Sequence, residues 1–117
     1  MEKIVLVLST VPDGFDAPAL ARALVEARLA ACVSVLPAQW STYQWQGEVE
    51  TAREHQILIK TTEGRVEALR SELRERHPYQ VPEFLVLPVA GGDEDYLSWI
   101  RTSAPPDPTA TPAADRP

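Results

Sequence analysis

The side chains best suited to metal chemistry are few in this chain, and they stand far apart. Cys32, His77 and Glu83 supply a thiol, an imidazole and a carboxylate, and His55 is the second histidine. Such groups are the protein ligands of borderline and soft divalent ions. None of them has the short spacing of a local metal motif, so a site would have to assemble across the fold or between chains. Cys32, His77 and Glu83 form the candidate ligand set, although a buried thiol and a helix cap are the commoner roles for the first two.

A second group of polar side chains lies in residues 77–83, HPYQVPE, immediately before an apolar run. Pro78 and Pro82 bias the residues before them away from the helical region, so the segment ends a helix and follows an extended path. Tyr79 lies between the prolines, and Glu83 stands at the start of the apolar strand. Polar groups at such a junction are either structural plugs or ligand contacts, and both interpretations stay open at this point.

Several kinds of chemistry are disfavoured because the residues they need are missing. A paired-thiol metal chaperone needs Cys-x-x-Cys, and the chain has one cysteine. Nucleophilic catalysis needs a base near a serine or cysteine, and the two histidines fall on distant elements without a motif. RNA recognition on a sheet needs aromatic side chains with basic neighbours, which the strand beginning at Phe84 lacks. We therefore expect a protein without catalytic activity.

Charge and length narrow the possible partners and location. The net charge of −6 repels phosphate backbones, and no basic stripe offsets it, so we expect no nucleic-acid binding. The length of 117 residues predicts a single domain. One cysteine allows no internal disulfide, which indicates a reducing compartment. The apolar run at residues 4–8 is too short for a signal peptide or a membrane span, so we expect a cytoplasmic protein without membrane contact.

Apolar and helical patterns predict the elements that must position these groups. Continuous apolar runs predict buried strands at residues 4–8, 32–36 and 84–89, with a bulge or bend at Pro37. Residues 43–46 and 48–50 alternate around a tight reversal at Gln46 and Gly47, and residues 55–60 continue as a core strand, which together predict a long β-hairpin. Asp16 and Thr62 can cap two helices, the second of which must end by Pro78. A short C-terminal helix starts at Asp93.

The order of these elements predicts an α+β fold. Strand, helix, strand, strand, helix, strand is the βαββαβ order of the ferredoxin-like sandwich, in which both helices cover one face of an antiparallel sheet. The other face of long apolar strands cannot remain solvated, so we expect another subunit to cover it. The domain should span residues 1–103, and residues 104–117, rich in Pro and Ala without a large apolar side chain, should form a disordered tail.

Five segments of the chain form a recognisable set: LAACV at 29–33, YQWQG at 43–47, Glu54 with residues 59–62, HPYQVPE at 77–83 and DYLSWI at 95–100. With these segments in this order and at compatible spacing over residues 3–102, the chain resembles the CutA family, the divalent-cation tolerance proteins. The resemblance implies a ferredoxin-like subunit in a tight homotrimer, similar in build to the PII signalling proteins, whose long hairpins pair with neighbouring subunits.

The resemblance also implies a function and a set of residues. The family is linked to tolerance of copper and other divalent metals, which suggests a Cu²⁺ or Zn²⁺ ligand for the set named above. Beside Cys32, the motif residues that we expect at a cleft between subunits are Tyr43, Trp45, Glu54, Lys60, Tyr79, Pro82 and Glu83. Three hypotheses follow: a trimer that binds divalent cations or relays a metal-related signal, a PII-like sensor that holds a small anion with Lys60, and a purely structural interaction module.

Overall fold

The computed structural model describes residues 1–106, which form five strands and three α-helices. The elements are β1 Ile4–Pro12, α1 Ala17–Glu26, β2 Cys32–Val35, β3 Gln39–Trp45, β4 Glu48–Thr62, α2 Val66–Arg76, β5 Leu85–Pro88 and α3 Glu94–Ser103. A single 3-10 turn, Glu63–Arg65, leads into α2. Within the described residues no helix is long and apolar enough to cross a membrane.

The five strands form one antiparallel sheet in the order β2, β4, β1, β5, and β3 pairs with the first half of β4. In the centre of the sheet Ile59 of β4 lies opposite Val7 of β1 on one side and Val33 of β2 on the other. Val7 in turn lies opposite Val86 of β5. The predicted α+β class with an antiparallel sheet is confirmed.

The predicted hairpin is longer and more continuous than the sequence pattern indicates. The pattern separates residues 48–50 from 55–60, whereas β4 is one strand of 15 residues that pairs with both β2 and β3. The chain bends between β2 and β3 around Pro37, as predicted, because proline cannot donate to a strand ladder. At the tip, Gln46 and Gly47 have φ values of 50° and 82°, which are typical of a tight hairpin turn.

The main core lies between one face of the sheet and helices α1 and α2. The inward side chains of β1 and β4 alternate along the strands and include Val7 and Ile59. Leu20 and Leu24 from α1, and Leu69 and Leu73 from α2, pack against them at helical spacing. A second, smaller cluster forms where α3 packs, and it contains Ile4, Ala31, Ile100 and Ala104.

The structure confirms one of the two predicted helix caps and contradicts the other. Asp16 caps α1, because its Oδ1 accepts a hydrogen bond from the Ala19 N–H at 3.1 Å. The prediction that Thr62 caps the second helix is wrong, since its side chain makes no cap hydrogen bond. The Thr62 hydroxyl instead donates to the Ala104 carbonyl at 2.5 Å and ties the end of β4 to the end of α3. Helix α2 ends at Arg76, before Pro78 as predicted.

The predicted boundary between domain and tail falls at the edge of the described residues. Ala104 and Pro105 are buried, so packing continues past residue 103. The rest of the predicted disordered tail, residues 107–117, lies outside the described residues. The proposed division of the chain therefore stays a prediction for that part.

Candidate functional site: an acidic aromatic groove

A groove of about 600 Å³ opens between the β3–β4 hairpin and the loop of residues 77–83. Three aromatic side chains line it, from Tyr43, Trp45 and Tyr79, together with three carboxylates, from Glu50, Glu54 and Glu83. The remaining lining residues are Thr10, Ser41, Gln56, Pro78, Gln80, Val81 and Pro82. The volume lies in the range of small-molecule sites, which is about 300–1,000 Å³.

Strand alternation brings the hairpin residues to one side of the groove. Successive side chains of a strand point to opposite faces, so Ser41, Tyr43 and Trp45 of β3 share a face. The antiparallel register places Tyr43 opposite Glu50 of β4, and directly opposite residues share a face. Glu54 follows Glu50 by four residues on the same strand and therefore lines the same groove.

His77 fixes the loop that forms the other wall. It ends α2 in an extended conformation and is buried. Its Nε2 lies 2.6 Å from the Thr10 carbonyl oxygen, and its Nδ1 accepts a hydrogen bond from the Tyr79 N–H at 3.0 Å. A carbonyl can only accept and an N–H can only donate, so the ring carries its proton on Nε2. Both ring nitrogens therefore hold the backbone in place.

Tyr79 links the loop to the hairpin. Its hydroxyl donates a hydrogen bond of 2.8 Å to Glu54 Oε2. Glu54 is 6% exposed, so this carboxylate is nearly enclosed by protein. Burial raises the pKa of the Tyr79 phenol above its ordinary value, and the hydrogen bond to Glu54 and the negative charge of Glu54 raise it further. The phenol thus keeps its proton and remains a donor to Glu54.

A second hydrogen-bond network holds Glu83 at the base of the loop. Gln56 Nε2 donates to Glu83 Oε2 at 2.7 Å and also lies 2.8 Å from the Ser9 carbonyl oxygen. The Ser9 hydroxyl donates to the Glu83 carbonyl at 2.7 Å. Strands β1 and β4 thus position the backbone and the side chain of Glu83. Gln56 was not among the predicted site residues, although it stands two residues after Glu54 and shares its face.

The structure brings together six of the seven residues predicted for a cleft. Tyr43, Trp45, Glu54, Tyr79, Pro82 and Glu83 all line the groove. Lys60 does not, because its ammonium group donates to the Tyr96 hydroxyl at 3.3 Å and lies 5.5 Å from the centre of the Tyr96 ring. The groove lining includes no Lys, Arg or His. Its electrostatic character is therefore negative, which opposes an anionic ligand.

The candidate metal ligands do not come together within one chain. Cys32 lies in β2 opposite Lys60, whereas His77 is engaged through both ring nitrogens and Glu83 accepts from Gln56. Among residues 1–106, no group of three or more His, Cys, Asp or Glu side chains is arranged to hold a metal ion. A site made by Cys32, His77 and Glu83 would thus need more than one chain or a rearrangement of the loop.

Comparison with known proteins identifies the family. The sequence model of the family described as CutA1 divalent ion tolerance protein matches residues 5–103. The chain belongs to the CutA1 family. The resemblance predicted from the five sequence segments is confirmed, and the family match includes both walls of the groove.

Individual CutA1 relatives agree with this assignment. The chain is 50% identical over 99 residues to the divalent-cation tolerance protein CutA of Pectobacterium atrosepticum, covering 85% of this chain and 90% of the relative. It superposes on the crystal structure of CutA from Xylella fastidiosa with a TM-score of 0.83 and 45% identity, covering 87% of this chain and 98% of the other. The periplasmic divalent cation tolerance protein CutA of Archaeoglobus fulgidus gives a TM-score of 0.82 at 29% identity, over 86% of this chain and 98% of the other.

Proposed function

We propose that this chain forms a homotrimer that serves in the tolerance of divalent metal ions, copper among them, without catalysing a reaction. Membership of the CutA1 family over residues 5–103 is the observation that carries this proposal. In this role the trimer binds divalent cations or relays a metal-related signal. The sheet order β2, β4, β1, β5 supports a ferredoxin-like subunit as the building block.

The exposed apolar strand β5 supports assembly into an oligomer. Within residues 1–106, β5 pairs only with β1, and its other edge is open. Leu85, Val86 and Leu87 are all exposed on this strand. An unpaired edge with aliphatic side chains favours association with another copy of the chain, because association removes apolar surface from water and satisfies backbone groups.

Light scattering on a sizing column tests the trimer. We expect the mass of three chains at micromolar concentration, and a monomer mass would contradict the proposal. Leu87→Glu should shift the mass toward the monomer, because it places a charge on the exposed apolar strand. Val25→Glu on α1 is the matched control, since Val25 and Leu87 are equally exposed at 41%.

Equilibrium dialysis with Cu²⁺ and with Zn²⁺ tests metal binding. Because no site converges in a single described chain, we expect saturable binding to involve residues of different subunits. Cys32→Ala should weaken binding, whereas Ser34→Ala, two residues further along β2, should leave it unchanged. The absence of saturable binding at micromolar metal would refute the metal-binding part and would leave the structural interaction module as the better hypothesis.

The sensor hypothesis with an anionic ligand is disfavoured by the groove's charge. Three carboxylates line the groove, and Lys60, the cation assigned to that role, contacts Tyr96 instead. We therefore do not propose an anion as the ligand of this groove. A thermal-shift panel of nucleotides and organic acids should be flat if this reasoning holds.

We propose a cytoplasmic location, supported by the single cysteine, which allows no internal disulfide. The A. fulgidus relative is described as periplasmic, so location requires its own measurement. Fractionation of the native host with antibody detection would give it, and recovery in a periplasmic or external fraction would contradict the proposal.

A further inference from the structure

The acidic aromatic groove gathers three carboxylates and three aromatic side chains in one cavity. Its three carboxylates come from two separate walls, Glu50 and Glu54 from the hairpin and Glu83 from the loop. Its lining contains no Lys, Arg or His to neutralise them. Like charges around one cavity raise its electrostatic energy, and a bound cation would lower it.

Glu54 is the side chain that most needs a partner. It is 6% exposed, yet within residues 1–106 only its Oε2 receives a hydrogen bond, from Tyr79. Glu54 is also one of the residues that line the groove, so its side chain borders the cavity. A carboxylate has about four acceptor positions. A donor entering the groove would therefore find a desolvated and pre-positioned acceptor.

The size of the groove and the spread of its charges decide which cation fits. Glu50 and Glu54 are four residues apart on one strand, about 13 Å along the backbone. The three carboxylates belong to no group of side chains arranged to hold a metal ion. The volume of about 600 Å³ suits a small organic molecule better than a single ion.

The aromatic side chains favour an organic cation over a hydrated metal ion. Tyr43, Trp45 and Tyr79 present rings to the same cavity as the carboxylates. The face of an aromatic ring attracts ammonium and guanidinium groups, and the ring also packs against an aliphatic stem. A strongly hydrated divalent ion would gain little from these surfaces.

We propose that this groove binds a small organic cation, an aliphatic amine or polyamine with one ammonium group paired with Glu54 and a methylene stem that runs past Tyr43 toward Glu50 and Trp45. This site differs from the metal site proposed above, because it uses neither Cys32 nor His77 and shares only Glu83 with that set.

Calorimetric titration of the full chain with putrescine tests the proposal, with butanediol and succinate as neutral and anionic probes of equal carbon-chain length. We expect saturable binding of putrescine and none of the other two. Quenching or enhancement of tryptophan fluorescence should accompany binding and should disappear in Trp45→Phe, because Trp45 lines the groove. Equal binding of all three probes, or of none, would overturn the proposal.

Charge-neutral variants separate a defined site from diffuse attraction. Glu54→Gln should weaken putrescine binding at least tenfold, which is about 1.4 kcal/mol. Glu50→Gln is a second test at an exposed position, so the proposal remains testable if Glu54→Gln does not fold. Glu75→Gln is the control, because Glu75 is exposed on α2 and does not line the groove. An equal effect of Glu75→Gln and Glu50→Gln would refute a defined site.

A cysteine variant tests whether this site is separate from the metal site. Cys32→Ala should leave putrescine affinity unchanged even if it abolishes metal binding. Loss of putrescine binding in this variant would contradict independent sites. If the basic side chain of another subunit occupies the groove instead, putrescine will bind only after the oligomer is dissociated, and that outcome would also overturn the proposal.

Discussion

Removing the Tyr79 hydroxyl tests whether the contact between loop and hairpin stabilises the protein. This hydroxyl donates to Glu54 Oε2 at 2.8 Å, and Glu54 is 6% exposed. Hydrogen bonds to charged groups contribute about 1.5–3 kcal/mol. Tyr79 borders an open groove, so water replaces part of the lost bond, and we expect Tyr79→Phe to lower the free energy of unfolding by about 1.5 kcal/mol. The unfolding equilibrium constant should rise by about tenfold.

Urea denaturation followed by far-UV circular dichroism measures this change, with the chain concentration held constant because dissociation contributes to unfolding. The midpoint should fall while the slope with denaturant stays the same. Tyr43→Phe is the matched control, since it removes a hydroxyl from the same groove. The Tyr43 hydroxyl makes no hydrogen bond within residues 1–106, so we expect a change within about 0.5 kcal/mol.

A double-mutant cycle assigns the effect to the pair. Glu54→Gln removes the charge but keeps an acceptor, so Tyr79→Phe should cost less in that background. We expect a coupling energy of about 1 kcal/mol between the two positions. If Tyr79→Phe and Tyr43→Phe destabilise equally, or if the two positions do not couple, the hydrogen bond does not stabilise the fold and the reasoning is refuted.

The same contact predicts how stability changes at alkaline pH. The pKa of Tyr79 is raised in the folded protein by burial and by Glu54, so the unfolded chain releases this proton first. The stability that depends on the protonated phenol is therefore complete below the ordinary tyrosine pKa of about 10 and declines as the pH rises above it. Tyr79→Phe should flatten this decline in a plot of unfolding free energy against pH.

Three further predictions concern other parts of the fold. The hydrogen bond from Arg53 lowers the pKa of Asp13. The stability that the ionised Asp13 contributes is therefore present above the ordinary aspartate pKa and is lost as the pH falls. The difference in melting temperature between wild type and Asp13→Asn should vanish in acid. Leu73 is 1% exposed in the main core, and Leu73→Ala should lower the free energy of unfolding by about 2–5 kcal/mol in urea titrations. Gly47 has a φ of 82° at the hairpin tip, so Gly47→Ala should cost about 1 kcal/mol, whereas Gly91→Ala should cost little because Gly91 is not at positive φ and an added Cβ would meet open space. A neutral Gly47→Ala would show that the turn relaxes.

Local patterns accounted for most of the elements of this fold. The apolar runs located β1 and β2, Pro37 marked the bend, and the aromatic alternation located β3. They did not show that β4 is one strand, because residues 48–53 are mostly exposed and lack the apolar character of a core strand. Pairing with β3 sustains residues 48–54 of the strand, and pairing with β1 sustains residues 54–62. Strand pairing of this kind depends on the tertiary structure, so the β propensity of the individual residues does not predict it.

The candidate site was predicted in part for a similar reason. The motif residues identified Tyr43, Trp45, Glu54 and Tyr79, and the structure places them around one groove. Lys60 does not line this groove, because a long side chain takes its partner from whichever element packs beside it, and its place in a cleft between subunits stays a prediction. Here that element is α3, which presents Tyr96.

The sequence by itself determined the family, the class of fold, the cap of α1, the end of α2 and the turn at Gln46 and Gly47. These features depend on residues within a few positions of one another, through φ restriction, alternation and capping. Only the tertiary structure decided that Tyr79 bonds Glu54, 25 residues away, and that Ser9 bonds the Glu83 carbonyl, 74 residues away. Such pairs are set by strand order and by the packing of the loop against β1 and β4, so no local pattern specifies them. The negative, aromatic groove is the product of that long-range assembly.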